Sequence, residues 1–404
     1  MGSKGNRDLS IAVTAFYMKI VGFWQADNHI EERRRKFATI YTLCALFIAL
    51  AVEVRDFYYT WGDFGKCIYI TCNLASLGIG ILKMFISLVH KTHLHNLVTY
   101  ANKHFWHSDY DPHEQVLFDT CKRTCTLLIC IFNFFAQTTV AFYVIKPILE
   151  NIGRNESERI LPFNMWLDLP LSMSPYFEIT FIIQVLSLYH VGVCYLCFDN
   201  FLCILNLHTA TQFRILQHRL TSSNSLIDHG KTYEITSEPK FDANKYYKKF
   251  RNSIQQHQSL LEYCEQLEKV FTLIVLGQVV LFSLMICLDD APATLRLTFC
   301  FHITGCMVQL LMFTYSCDTL IRESSNVARA AYASMWTLLP MNKDGKMVRD
   351  DLALVIMRSQ SPCCLTAGGF FAVSLETYTT VLSTAVKNEF CKPNNKSFIL
   401  WKKA

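Results

Sequence analysis

The side chains best placed to do chemistry lie inside apolar runs, where an ionisable group is unfavourable and therefore needs a reason. Glu376 is the clearest case, standing in Ser374-Leu375-Glu376-Thr377-Tyr378-Thr379-Thr380 near the middle of a long apolar segment. With Ser374, Thr377, Thr380 and Ser383 it makes a hydroxyl-rich face. Such a face fits either a water-filled pathway or polar contacts between helices. Lys83 sits in another apolar run, where its long stem suits snorkelling to an interface or lining a polar cavity. Glu178 falls at the end of a run, within reach of water. Cys194 and Cys197 have CxxC spacing but no second pair and no His cluster, so they read as packed thiols. His190 and His302 lack a convergent ligand set, and no metal is expected on them. There is no Gly-rich phosphate loop, HExxH, nucleophile elbow or recurring carboxylate pair. The sequence therefore implies neither an enzyme nor a cofactor.

The elements that hold these residues are membrane spans. Of 404 residues, 51% are hydrophobic and only 18% charged, more apolar than one soluble core of this size requires. A helix crossing the hydrocarbon needs about 20 mainly apolar residues, with every backbone group bonded internally. Seven runs qualify: 37–54, 67–90, 125–146, 176–198, 270–288, 297–316 and 365–386. Phe57, Tyr58, Tyr59 and Trp61 after the first run have the character of an interfacial belt. Many of the 17 cysteines lie within these runs, among them Cys44, Cys72, Cys130, Cys287, Cys300 and Cys306, which suits small apolar side chains rather than a disulfide framework. The first 36 residues carry charge throughout, so insertion starts from an uncleaved span.

Direction follows from lysine and arginine. Segments 1–36, 91–124, 199–269 and 317–364 hold 26 of them, and the alternate connections, counted with Lys146 at the edge of the third run, hold 6. The amino terminus is therefore expected in the cytoplasm and the carboxyl terminus outside. The sequons at Asn155 and Asn395 both fall on the expected outer side and are candidate glycosylation sites. The fold class is thus an all-α membrane protein of about seven transmembrane helices. It divides into a cytoplasmic segment 1–36, a seven-helix body 37–386 and a polar tail 387–404. With a net charge of +5 and no basic groove, nucleic acid is not an expected partner; the lipid bilayer is.

Two cytoplasmic stretches have amphipathic character. Tyr246, Phe250, Ile254, Leu261, Cys264 and Leu267 recur at helical spacing, which suits a helix extending span five and packing on a neighbour. Residues 347–358 form a run too short to span, and Pro362 should break it from the last membrane helix. Gly368 and Gly369 would then allow close helix approach. In the outer halves of the spans, Tyr69, Phe142, Tyr143, Tyr176, Phe177, Phe181, Phe299 and Phe301 could enclose a small apolar ligand. Ordinary packing or lipid contact is the simpler account for most of them.

Several segments resemble insect odorant receptors, particularly the hymenopteran kind. They are Ala15 through Trp24, Leu161-Pro162-Phe163-Asn164-Met165-Trp166, and the stretch from Gln309 through Asp318, Glu323, Ser324, Ala331, Tyr332 and Trp336. The most specific are Met357 through Pro362 and Leu365 through Phe371 with Ser374-Leu375-Glu376-Thr377. The resemblance implies seven spans with a cytoplasmic amino terminus, which agrees with the charge count. It also implies a subunit of a ligand-gated, non-selective cation channel that binds a small volatile odorant and pairs with a co-receptor in a heterotetramer. The last helix would line the pore, with Glu376, Thr377, Thr380 and Ser383 as candidates, and the cytoplasmic helix ends would join the subunits. The implied location is the plasma membrane of olfactory sensory neuron dendrites.

One departure is visible. After Thr380 through Val386, family members continue with further apolar residues, whereas this chain continues Lys387-Asn388-Glu389-Phe390-Cys391-Lys392-Pro393, which implies a shortened final helix. Other readings are a gustatory receptor channel with the same topology, a G-protein-coupled receptor with an extracellular amino terminus, and a transporter, for which no internal repeat is visible.

Overall fold

A computed structural model describes residues 8–26, 28–106, 108–166, 169–222, 243–287, 296–334, 336, 341 and 343–390. The described residues form ten α-helices. They are α1 (Leu9–Val21), α2 (His29–Tyr59), α3 (Phe64–Val89), α4 (Lys91–Ala101), α5 (Pro112–Glu150), α6 (Tyr176–Ser222), α7 (Ala243–Cys287), α8 (Arg296–Tyr332), α9 (Lys343–Ser359) and α10 (Leu375–Phe390). Six of them, α2, α3, α5, α6, α7 and α8, are long and apolar enough to cross a membrane, and α1 is a shorter apolar helix. Each of the first six predicted runs falls within one of these six helices, apart from the last residue or two where a run overshoots its helix end.

The helices outrun the bilayer. At 1.5 Å per residue the 47-residue α6 is about 70 Å long, more than twice the ~30 Å hydrocarbon core. Its two halves differ accordingly. Ile179, Ile182, Ile183 and Leu186 in the first half face outward, whereas the second half is enclosed almost continuously from Val193 to Leu216. Exposed Ile40, Phe47, Phe85, Leu127, Phe134, Ile145, Leu273 and Val280 on the other helices continue the apolar exterior. Water would not tolerate so much of it, and a bilayer does. α6 and α8 share the most extensive packing in the bundle, and α5 lies against both.

The expected amphipathic extension is present in α7. Phe250, Cys264 and Leu267 are buried and Ile254 and Leu261 partly so, all packed inward, and the side chain of Tyr246 lies outside the described residues. α9 presents Val348, Leu352 and Val355 to α7 and α8 and leaves Met347, Leu354 and Met357 exposed. The segment 1–36 is more than a charged leader, because α1 packs on α2, α5 and α6.

The seventh predicted run, 365–386, is helical only from Leu375. Residues before it fold back as a tight hairpin, with Ala367 N–H donating to Phe371 O at 2.9 Å and Val373 N–H to Leu365 O at 2.9 Å. Gly368 and Gly369 have φ of 61° and 80° and so turn the chain through a left-handed conformation, and Gly368 also lies close against α7, its N–H donating to Thr272 O at 3.1 Å. A Cβ at Gly368 would come within 2.7 Å of Leu276 Cδ2 on α7. Glu268 of α7 fixes the hairpin by accepting from Thr366 N–H at 2.8 Å and from its hydroxyl. α10 then continues to Phe390, four residues past the expected end; positions beyond it, including Asn395, lie outside the described residues.

Candidate functional site

At the end of the bundle that carries the α5–α6 connection, α2, α3, α5, α6 and α8 surround a cavity of about 260 Å³. Its walls are mainly apolar and include Ile48, Val52, Leu77, Phe132, Val140 and Leu196. Interspersed are Asn73, Gln137, Thr139, Tyr143, Gln184, Ser187, Tyr195, His302 and Gln309, enough polar groups to orient a ligand.

The roof is the connection between α5 and α6, through Phe163 and Met165. A loop holds such a position only if its backbone is satisfied. Gln184 of α6 does this with both ends of its amide: Phe163 N–H donates to Oε1 at 3.0 Å, and Nε2 donates to Phe163 O at 2.9 Å. From α2, Asp56 accepts from Trp166 Nε1 at 2.9 Å and from Asn164 Nδ2 at 3.4 Å. Trp166 also stacks on Tyr59, and Phe163 on Tyr143. Leu161 through Trp166 is thus a clamped lid, held by side chains from α2, α5 and α6.

The floor is an ionic network. Lys83 of α3 is fully buried, its ammonium 2.6 Å and 2.8 Å from the two carboxylate oxygens of Asp199 on α6. The same nitrogen donates to Tyr195 O at 3.2 Å and stands 4.2 Å from the Tyr195 ring centre. Gln309 of α8 donates to Asp199, accepts from Tyr195 Oη at 3.0 Å, and Gln278 of α7 donates to that hydroxyl at 3.1 Å. Lys83 therefore neither snorkels nor faces lipid. The charge is tolerable at this depth because its partner and remaining donors are all engaged.

The family model described as 7tm Odorant receptor matches residues 64–386. This chain belongs to the odorant receptor family. The receptor is 20% identical to Odorant receptor 13a of Drosophila melanogaster over 406 residues, covering 94% of each chain. It is 21% identical to Odorant receptor 10 of Aedes albopictus, covering 93% of this chain and 96% of that one. Its fold matches the olfactory receptor OR5 of Machilis hrabei with a TM-score of 0.77 at 12% identity, over 93% of this chain and 95% of that one. The same protein in complex with eugenol matches equally, with a TM-score of 0.77.

Within the receptor, the aromatic residues singled out from sequence are dispersed. Tyr143 lines the cavity, and Tyr69 stacks behind it at 6.1 Å between ring centres. Phe142 and Phe301 pair with each other at 4.7 Å, outside the lining set. Tyr176 is exposed, and Phe181 packs against Phe177. The side chain of Phe299 lies outside the described residues. Of the two histidines, His302 lines the cavity and His190 bonds the Thr42 hydroxyl at 2.9 Å. Composition alone did not single out Gln184, Tyr195 or Gln309. Buried amides within spans were the signal available, since each must find a partner there.

On α10 Tyr378 and Val381 pack inward, while Glu376, Thr380 and Ser383 are exposed and Thr377 is half-buried. Asn155 is exposed in the connection that forms the roof.

Proposed function

We propose that the receptor is the odorant-binding subunit of a ligand-gated, non-selective cation channel, and that the roofed cavity takes one small volatile molecule. The observation that carries this is the cavity itself: about 260 Å³, mainly apolar, roofed on one side by a clamped loop and floored by hydrogen-bonding groups. Drug-sized ligands occupy about 300 Å³ or more, so the occupant is smaller. Burial of apolar surface supplies the affinity, at about 25 cal/mol per Å² removed from water, and one or two polar groups orient the molecule. Eugenol, a volatile phenol held by the olfactory receptor of Machilis hrabei, is of this kind.

Opening requires that the ligand bind the open arrangement better than the closed one. Tyr195 and Gln309 touch both the cavity and the floor network, which reaches α3, α7 and α8, and α10 packs on α7 and α8. A shift of that network is the proposed route from ligand to gate. The outward face of α10, with Glu376, Thr377, Thr380 and Ser383, is proposed to line the pore together with the same helix of other subunits. A carboxylate exposed from this chain's own bundle needs water or a protein partner there. The exposed Leu354 and Met357 of α9 support a subunit contact at the cytoplasmic end. The assembly is proposed to include the odorant receptor co-receptor in a heterotetramer at the plasma membrane of sensory dendrites, with a cytoplasmic amino terminus and glycan on Asn155.

Whole-cell current across a panel of volatiles, recorded with and without the co-receptor, tests this. Current is expected only in the combined case and should persist when G-protein signalling is blocked. Current that vanishes with that block would refute the channel reading.

A further inference from the structure

Further along α5 and α6 from the cavity walls Phe132 and Leu196, three side chains converge and a fourth, from the segment before α1, borders them. Cys121 and Cys125 lie one turn apart on α5, so their thiols share a face, with Sγ to Sγ 3.9 Å. His208 of α6 meets them, and one donor atom from each of these three residues lies within 4.8 Å of the others. Asp8, which precedes α1, brings its Oδ2 to 3.9 Å from His208 Nε2.

The hydrogen bonding of this group is incomplete. Asp8 Oδ1 caps α1 by accepting from Ser10 N–H at 3.1 Å and Ser10 Oγ at 2.7 Å. Its other oxygen, Oδ2, is buried with no hydrogen-bond partner, and so are both ring nitrogens of His208, a residue that is 0% exposed. The thiols alone would call for no ligand, because they sit in an apolar cluster with Phe132, Leu196 and Met312. Apolar packing does not account for an imidazole and a carboxylate buried beside them with donor and acceptor atoms unused.

We propose that Asp8, Cys121, Cys125 and His208 bind a zinc ion that fastens α1 to α5 and α6. Tetrahedral zinc with Zn–S near 2.3 Å holds two sulfurs about 3.8 Å apart, which the thiol pair already meets. Two thiols, one imidazole and one carboxylate are a donor set zinc accepts. The rings of Phe118 and Trp106 stand 5.3 Å and 6.3 Å from the imidazole and wall it from water. Two thiolates and a carboxylate around Zn²⁺ leave one negative charge, and the Lys122 ammonium, 4.6 Å from the Phe118 ring centre, is a nearby cation that also pairs with Asp119 at 3.4 Å. The charge count puts this end in the cytoplasm, where thiols stay reduced and available to a metal. Zinc here is structural: all four ligands come from protein, leaving no open position for catalysis.

The full-length receptor, purified in detergent from zinc-supplemented cells and passed through metal-free buffer, is assayed by atomic emission. About one zinc per chain is expected. The Cys121→Ser/His208→Asn double variant should lose it, Asp8→Asn should weaken zinc affinity by roughly tenfold or more, and Cys44→Ser, at an exposed thiol elsewhere, should retain it. Because misfolding would also release metal, a second readout uses the unaltered chain. Stripped and reloaded with Co²⁺, it should show thiolate-to-cobalt charge transfer and the visible bands of a tetrahedral site. A zinc-free receptor with no such cobalt spectrum, or zinc retained by the double variant, would overturn the assignment.

Discussion

Single side chains decide how the cavity is closed and floored. Gln184 satisfies both backbone groups of Phe163, so Gln184→Leu leaves a donor and an acceptor without partners and loosens the roof. Washout kinetics should show faster loss of response, with the half-maximal concentration raised roughly tenfold, about 1.4 kcal/mol. Beneath the cavity, Lys83→Met strands the buried Asp199 carboxylate. We expect a loss of about 3 kcal/mol or more, read as reduced surface expression and a lower melting temperature, with Lys83→Met/Asp199→Leu recovering most of it. Little of this was legible in the sequence. Lys83 and Asp199 are 116 positions apart, and hydropathy shows that a lysine is within a span but not which carboxylate meets it. The aromatics were sought by position along each helix. The cavity is instead defined by rotation about the helix axis, and that orientation placed Tyr143 on its wall and Phe142 beside Phe301.

At the scale of elements, length and hydropathy carried nearly all the information, because a bilayer imposes a fixed thickness and forbids unsatisfied backbone. Six predicted spans fall in the six long helices, and Pro362 marks the break after α9. The seventh was misdrawn at its start. Two successive glycines look alike inside a helix and in a hairpin packed against one, and only their φ values separate the two. Gly368→Val should therefore destabilise the receptor, since it demands a left-handed conformation of a branched residue and drives a side chain into Leu276. Gly369 shares the left-handed strain at φ 80°, but an added Cβ there would meet nothing within 4 Å, so it should be the more tolerant of the two.

The joint between α7 and α9 carries a pH dependence. Burial, with the Arg358 guanidinium adding to it, pushes the His257 imidazole down from 6.5 to about 4. In the unfolded chain that imidazole takes its proton near 6.5, and in the fold it resists until about 4. The stabilisation is whole above pH 6.5 and is lost as pH falls from there toward 4. Melting temperature in nanodiscs should drop between pH 7 and 5, and His257→Gln should flatten the profile.

For the whole molecule, charge asymmetry and the outward apolar belt describe one object: a helical bundle crossing a membrane, with long helical ends gathered on one side and a roofed cavity near the other. This cavity is the proposed seat of the volatile. Ser187 lines it on α6, and Ser187→Phe fills it without replacing a residue of the floor pair, the roof clamp or α10. The decisive measurement is the concentration dependence of current for the most potent volatile, taken on this variant and the unaltered receptor at matched surface expression beside the co-receptor. A ligand seated in this cavity should show a half-maximal concentration raised roughly tenfold or more. An unchanged concentration dependence would contradict it.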